Sequence, residues 1–183
     1  MSTRYEYDNM DSLPAARSLL PRCIRGRGRE FVRIGANTIN RLSTFQLGEI
    51  LAQLQIECSD EAILQRPVLE GGPVAPDRGF VLHSPMEGYE SSLAVGQDIM
   101  VTTSRDVLAD IARGEGPDKY VVALGYAGWG GGQLEGELRA NAWLSVAADT
   151  DIVFDLPLPN RFNEALGRLG IKIDRLHSEA GNA

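Results

Sequence analysis

Two pairs of segments carry side chains that could do chemistry, and the first pair is His83-Ser84 with Ser104-Arg105-Asp106. Together they offer an imidazole, two hydroxyls, a guanidinium and a carboxylate, and nucleophilic catalysis needs a hydroxyl, a base and an orienting acid. Neither serine stands in a G-x-S-x-G elbow, and Ser104 is also well placed to cap a helix. A lone histidine on a strand is usually a structural residue, so the sequence does not favour a catalytic triad.

The second pair is the apolar run Tyr120–Leu124 and the glycine-rich segment Gly125–Gly132 that follows it. The run predicts a buried strand, and a segment of helical character begins at Gln133. A strand, a glycine loop and a helix can present backbone N–H groups to an anion. However, no Lys-Ser/Thr pair follows Gly132, and the glycine spacing does not match G-x-G-x-x-G. A tight connection that needs positive φ explains the same glycines, and Trp129 is interpreted as a lid over the core.

The remaining chemistry-bearing residues are sparse. Two histidines and two cysteines, Cys23 and Cys58, provide neither the ligand spacing of a metal site nor a disulfide framework. The acids Asp77, Glu135 and Glu137 are interpreted as solvated side chains. The sequence therefore predicts no metal and no cofactor, and it favours a protein that is not an enzyme.

Composition and charge narrow the partners. Of 183 residues, 43% are hydrophobic and 23% charged, as in soluble globular domains. No apolar run approaches the roughly 20 residues that span a bilayer, and the first residues do not resemble a secretory signal, so we expect a cytoplasmic protein without a membrane segment. Residues 1–42 carry eight arginines and four acids (net +4), whereas residues 43–183 carry ten basic and 21 acidic residues (net −11). An acidic body repels nucleic acid, which favours a protein or small-molecule partner.

Hydrophobic periodicity predicts the elements that must position these residues. Strands occur in runs with helices between them but without regular βαβ spacing, which predicts an α+β fold with a mixed sheet. The predicted helices begin at Ser43 or Thr44 (to Leu54), at Arg105 (to Arg113), at Gln133 (to about Ala140) and at the capping Asn160 (to Leu169). The predicted strands lie at 65–70, 79–84, 91–95, 98–103, 120–124, 144–146, 151–154 and 171–173, with a hairpin turn at Gly96-Gln97.

Several of these segments together resemble a known family. The first block is EGGPV at residues 70–74 with DRGFVLH at 77–83, and the second is TTSRDVL at 102–108. The third block combines LGYAGW at 124–129, GQLE at 132–135 and NAWL at 141–144. In this order the blocks resemble the YqgE/AlgH family of bacterial cytosolic proteins, and the match runs from about Ile39 to Ala183.

The resemblance implies a compact single domain with a mixed, barrel-like sheet flanked by helices, and neither an enzymatic activity nor a cofactor. One family member is linked to transcriptional control of exopolysaccharide synthesis, which implies a regulatory role. Because the body of the chain is acidic, we expect such a role to act through a protein partner rather than through direct DNA binding. The alternative is a small-molecule-binding or nucleotide-binding protein, or a hydrolase-like enzyme, with a cleft at the Gly125–Gly132 loop. The candidate binding residues are His83, Ser104, Arg105, Asp106, Gly128 and Trp129.

Residues 1–38 depart from the family pattern, and the family-like domain is predicted at residues 39–183. The segment CIRGRGREFVRIG at 23–35 mixes arginine and glycine with single hydrophobes. Such a segment is typical of a poorly ordered arm, and an arginine cluster of this kind can also bind nucleic acid. A third hypothesis is that a reading-frame change altered residues 1–38. Translating the gene in all frames tests it, because an altered frame must encode an apolar block like that of the family.

Overall fold

The structure, a computed structural model, describes residues 42–130, 132–140, 142–143 and 146–171. Its strands are β1 (Leu42–Gln46), β2 (Pro67–Glu70), β3 (Val74–His83), β4 (Ser92–Val95), β5 (Ile99–Thr102) and β6 (Tyr120–Tyr126). Within the described residues they form one sheet in the order β1-β2-β6-β3-β5-β4. β2 and β6 run parallel, and the other neighbours are antiparallel. The predicted α+β class with a mixed sheet is confirmed.

The helices are α1 (Leu47–Gln53), α2 (Glu61–Leu64), α3 (Arg105–Arg113), α4 (Gln133–Arg139) and α5 (Leu158–Arg168), with a π-helical turn at Asp151–Asp155. The barrel-like form of the sheet is not observed, because β1 and β4 each pair on one side only among the described residues. The longest helix in these ranges has 11 residues, so no described helix is long enough and apolar enough to cross a membrane.

Apolar side chains pack on both faces of the sheet. On one face, Val81 of β3 and Val122 of β6 pack with α1 and α3. On the other face, the next residues along, Leu82 and Val121, pack with the hairpin β4–β5 and the π-helical turn. This division follows from the two-residue period of a strand. The main core consists of Leu47, Ile50, Leu51, Val68, Val81, Val107, Leu108, Ile111, Ala112, Val122 and Leu124.

The central part of the chain follows the predictions closely. Helix α3 has the predicted bounds, and it ends at Gly114, whose φ of 74° is the left-handed conformation typical of a helix end. The predicted hairpin is also present. Val95 pairs with Ile99, so the turn contains Asp98 in addition to the predicted Gly96-Gln97.

The first predicted helix begins later than expected, because its first residues form strand β1. The backbone N–H of Gln46 donates to Glu49 Oε2 at 2.8 Å, which starts α1 at Leu47 rather than at a Ser43 or Thr44 cap. Phe45 is 40% exposed and does not join the buried helical stripe. Helix α2 was not predicted; Asp60 caps it by accepting the N–H of Ala62 at 2.8 Å.

The strand predicted at 151–154 is wrong. The segment forms the π-helical turn instead, with Ile152 and Val153 both buried in it. Helix α5 begins at Leu158 after Pro157, so the predicted cap Asn160 lies inside it. The predicted strand at 144–146 lies partly outside the described residues. Residues 1–38, Ile173 and the tail from Ser178 also lie outside them.

Candidate functional site

Ser104 and Asp106 meet at a corner where the loop before β4 contacts the start of α3. Ser104 Oγ donates to Asp106 Oδ1 at 2.5 Å and accepts the N–H of Ser91 at 3.2 Å. The Asp106 carboxylate also accepts the N–H groups of Glu90 at 2.9 Å and Val107 at 2.8 Å. We call these residues the Ser104 corner. Ser104 stands at the predicted N-cap position, but Asp106 accepts the helix N–H in its place.

Arg105 points away from this corner. Its Nη2 donates to the carbonyl oxygens of Leu54 at 2.7 Å and Gln55 at 3.4 Å. Those carbonyls belong to the end of α1, where unpaired acceptors remain in any helix. Arg105 therefore ties α3 to the end of α1.

His83, at the end of β3, is fully buried. Its Nδ1 lies 2.7 Å from the Ser84 carbonyl oxygen, and its Nε2 lies 2.8 Å from Thr102 Oγ1, which is also hydrogen-bonded to Ser92 Oγ. Burial lowers the pKa of His83 from its ordinary 6.5, and the hydrogen bond to Ser84 opposes that shift. The imidazole is thus neutral at physiological pH, with both nitrogens engaged inside the protein.

Two cavities lie near the predicted residues, and they differ in size and lining. The smaller, of about 60 Å³, is lined by Ser104 and Arg105 among others. It is far below the roughly 300–1,000 Å³ of ligand pockets. The larger, of about 660 Å³, lies where β2 and β6 end and β3 begins, and we call it the aromatic groove. It is lined by Ser43, Thr44, Phe45, Glu70, Gly72, Pro73, Val74, Pro76, Leu124, Ala127, Gly128, Trp129, Glu137 and Trp143.

A carboxylate fixes the two tryptophans of the groove. Glu137 Oε2 accepts the indole N–H groups of Trp129 at 3.0 Å and Trp143 at 2.5 Å, and Oε1 accepts from Gln133 Nε2 at 2.9 Å. The two indoles pack edge to face, with ring centroids 5.5 Å apart. Hydrogen bonds from Trp143, Trp129 and Gln133, in that order, hold the pKa of Glu137 below its ordinary 4.5. Glu137 is therefore an anion that is hydrogen-bonded to both indoles.

Next to the groove, two backbone segments that contain glycine approach each other closely. The N–H of Gly71 donates to the Leu124 carbonyl oxygen at 2.7 Å. Gly125 has a φ of 75°, and a Cβ on it would lie 2.4 Å from the carbonyl oxygen of Gly72. The predicted positive φ and close backbone approach are thus observed at Gly125, although this residue lies within β6 rather than in a turn.

The six predicted site residues do not meet in one place. Gly128 and Trp129 line the aromatic groove, Ser104 and Arg105 line the small cavity, and His83 lines neither. Trp129 packs against Trp143 instead of covering the core.

Sequence reasoning missed Glu137 and Trp143 as site residues, and it described Glu137 as solvated. One signal was available. Gln133 and Glu137 stand four residues apart on α4, a spacing that lets side chains pair on one helix face.

The titratable residues of the described part of the chain do not assemble a metal site. No group of three or more His, Cys, Asp and Glu side chains in the described ranges could hold a metal ion. The carboxylates of both regions instead accept hydrogen bonds from neutral donors, at Asp106 and at Glu137.

The fold and the site define an α+β domain with a mixed sheet and an aromatic groove at the end of its central strands. A family model described as AlgH-like matches residues 35–174. The chain belongs to this AlgH-like family.

Relatives of known sequence and structure agree with this assignment. A UPF0301 protein of Xanthomonas campestris is 49% identical over 145 residues, which cover 79% of this chain and 77% of the relative. One from Stenotrophomonas maltophilia is 50% identical over 144 residues, with the same coverage. The solution structure of the AlgH protein from Pseudomonas aeruginosa aligns with a TM-score of 0.64 at 46% identity, and covers 79% of this chain and 77% of that one.

Proposed function

We propose that this chain is a non-enzymatic cytoplasmic protein that acts by binding a protein partner in the aromatic groove. The observation that carries the proposal is the pair Trp129 and Trp143, the two tryptophans of the chain, which line one groove and are fixed by one carboxylate. Tryptophan is enriched among the residues that dominate binding energy at protein interfaces.

The hydrogen bonds inside the groove leave apolar surface for a partner. Because both indole N–H groups donate to Glu137, the rings can offer a partner their apolar faces and edges. Phe45 and Val74, which are 40% and 38% exposed, extend this surface along the groove. A rigid, partly exposed apolar surface with a charged residue beside it favours protein recognition.

The residues that favoured an enzyme are engaged elsewhere. Both nitrogens of His83 have partners within the fold, and the Ser104 hydroxyl is bound to Asp106. A general base must reach its substrate within hydrogen-bonding distance, and a fully buried imidazole does not offer that reach. This supports the choice of a binding protein over a hydrolase.

We infer that any regulatory effect of this chain on transcription passes through the bound protein. Residues 43–183 carry a net charge of −11, and Glu70 and Glu137 add carboxylates to the groove itself. Phosphate backbones are attracted by Lys and Arg, so this surface disfavours direct DNA binding. Fluorescence anisotropy with a generic DNA duplex tests this inference. We expect no salt-dependent binding, even at 50 mM salt.

Site-specific photocrosslinking tests the proposal. p-Benzoylphenylalanine in place of Val74 places a crosslinker at the groove, and the same residue in place of Leu93, which is 43% exposed on β4, is the matched control. In Stenotrophomonas maltophilia cells we expect position 74 to form a covalent adduct with a protein. Trp129→Ala should abolish this adduct, and the purified partner should reproduce it in vitro. Equal adducts from both positions, or adducts that survive Trp129→Ala, would contradict the proposal.

A small-molecule ligand is the second candidate, and the groove volume of about 660 Å³ favours it because ligand pockets fall in this range. Native mass spectrometry of the chain purified from the same cells separates the two. A bound mass of a few hundred daltons that Trp129→Ala removes, together with no protein adduct at position 74, would establish this candidate instead.

A further inference from the structure

The strand beside the groove offers little to a partner that would extend the sheet. The N–H of Phe45 donates to Ser43 Oγ at 3.1 Å, and that of Gln46 donates to Glu49 Oε2 at 2.8 Å. A peptide that adds a strand relies on main-chain hydrogen bonds from such an edge. Because these two donors are already paired, we expect the occupant of the groove to bind mainly through its side chains.

The lining of the groove suits a polyproline helix. Three aromatic residues (Phe45, Trp129 and Trp143) and two prolines (Pro73 and Pro76) line it. Proline-rich segments dock into aromatic-lined grooves as preformed, extended helices. Such a helix has no internal hydrogen bonds and keeps its backbone solvated, so it does not depend on the N–H groups of Phe45 and Gln46, which are already engaged.

The charge of the groove selects the residue that flanks the prolines. Glu137 accepts hydrogen bonds from three neutral donors, Trp129, Trp143 and Gln133, so none of them cancels its negative charge. A guanidinium over an indole face gains a cation–π interaction and, here, the attraction of the carboxylate at the N–H edges of the rings. The acidic body of the chain adds to this field.

We propose that the aromatic groove binds an extended, proline-rich peptide segment of its partner, with an arginine placed against the indoles of Trp129 and Trp143 beside Glu137. This inference rests on the proposed function, because it specifies which kind of protein segment enters the groove. A second copy of this chain is the competing occupant, and sedimentation tests it below.

Intrinsic fluorescence gives a direct measurement, since all tryptophan emission of the chain comes from the two groove residues Trp129 and Trp143. The probe is an acetylated, amidated peptide of sequence RPLPPLP, which contains no aromatic residue. One control peptide has glutamate in place of arginine, and another has alanine in place of every proline. We expect the arginine peptide to shift the emission and saturate, and each control to bind at least about tenfold more weakly.

A pair of protein variants isolates the carboxylate. Glu137→Gln keeps the size of the side chain and one acceptor oxygen but removes the charge, and Glu135→Gln is the matched control on the same helix, outside the groove lining. We expect Glu137→Gln to weaken the arginine peptide about five- to tenfold and to leave the glutamate peptide unchanged or tighter. Glu135→Gln should bind like the wild type.

Four outcomes overturn the inference. Equal affinity for the arginine and glutamate peptides contradicts the charge selection, and equal affinity for the alanine peptide contradicts the polyproline conformation. No change in emission or in NMR amide shifts with any peptide at millimolar concentration contradicts the ligand class. If sedimentation shows a dimer that Trp129→Ala dissociates, the groove holds a second copy.

Because the peptide titration and the crosslink at position 74 are separate measurements, a protein adduct without peptide binding leaves the proposed function standing and removes only this inference.

Discussion

The Ser104 corner and the aromatic groove both gather polar side chains around a carboxylate, but they use it differently. At the corner, Asp106 accepts backbone N–H groups from two segments and a hydroxyl, so its hydrogen bonds hold the fold together. In the groove, Glu137 accepts N–H groups from side chains whose rings line a cavity. The difference shows that a cluster of titratable residues indicates a site only when its hydrogen bonds leave surface for a ligand.

The largest expected effect tests whether the groove depends on a close approach of backbones. In Gly125→Ala the new Cβ would lie 2.4 Å from the Gly72 carbonyl oxygen at a φ of 75°, so the backbone must move. We expect the free energy of unfolding to fall by about 4 kcal/mol, in the range seen only for severe lesions. Urea denaturation followed by circular dichroism measures it.

Gly132→Ala is the matched control, because Gly132 has a φ of 77° but open space around it. Its free energy of unfolding should fall by only about 1–2 kcal/mol, which is the strain that a Cβ meets in the left-handed conformation. If both variants lose the same amount of stability, the close approach of Gly125 to Gly72 does not account for the loss.

The second prediction tests the structural role of His83. In His83→Ala the Ser84 carbonyl and the Thr102 hydroxyl lose their imidazole partner, and a cavity forms at a fully buried position. We expect the free energy of unfolding to fall by about 3 kcal/mol, from an unpaired buried polar group together with the cavity. The control is Gln53→Ala at an exposed position of α1, which should change the free energy of unfolding by less than about 0.5 kcal/mol. An unchanged stability for His83→Ala would return His83 to the list of functional candidates.

The sequence predicted the elements whose burial follows a regular period. Helix α3 buries Val107, Leu108 and Ile111 along one face. Strand β6 is an apolar run whose side chains are covered on both faces of the sheet. Both elements could therefore be identified from the sequence. Strand β1 was not, because Leu42 and Phe45 are 56% and 40% exposed at the edge of the sheet and show no alternation.

The site was only half predictable, for a related reason. Gly128 and Trp129 belong to a glycine-rich segment that is conspicuous in the sequence. Their partners Glu137 and Trp143 come from a helix and the segment after it, and what joins them is a set of hydrogen bonds across the chain. Periodicity describes how one segment is buried, and it does not report which side chains of different segments meet.

The third prediction uses pH to isolate the contribution of buried His83 to stability. The pKa of buried His83 is lowered below 6.5 in the folded chain. At a pH between this lowered pKa and 6.5, the unfolded chain therefore binds more protons at this position than the folded chain does. Its contribution to stability is therefore fully present above pH 6.5 and is lost as the pH falls through the lowered pKa. Urea denaturation at pH 7.5 and 5.5 should show the wild type losing more stability than His83→Gln, which does not titrate. Parallel losses would show that His83 is not the group responsible.

The smallest expected effect is spectroscopic and belongs to the groove. Because its hydrogen bonds hold the pKa of Glu137 below 4.5, its stabilising contribution persists above pH 4.5 and is lost only as the pH falls through the lowered value. Protonation removes the charge that orients both indoles, so we expect a change in tryptophan emission with a midpoint below pH 4.5. Glu137→Gln should lack this step, whereas Glu135→Gln should keep it. A step that survives in Glu137→Gln would mean that acid unfolding, rather than Glu137, reports on the groove, and circular dichroism over the same pH range identifies that case.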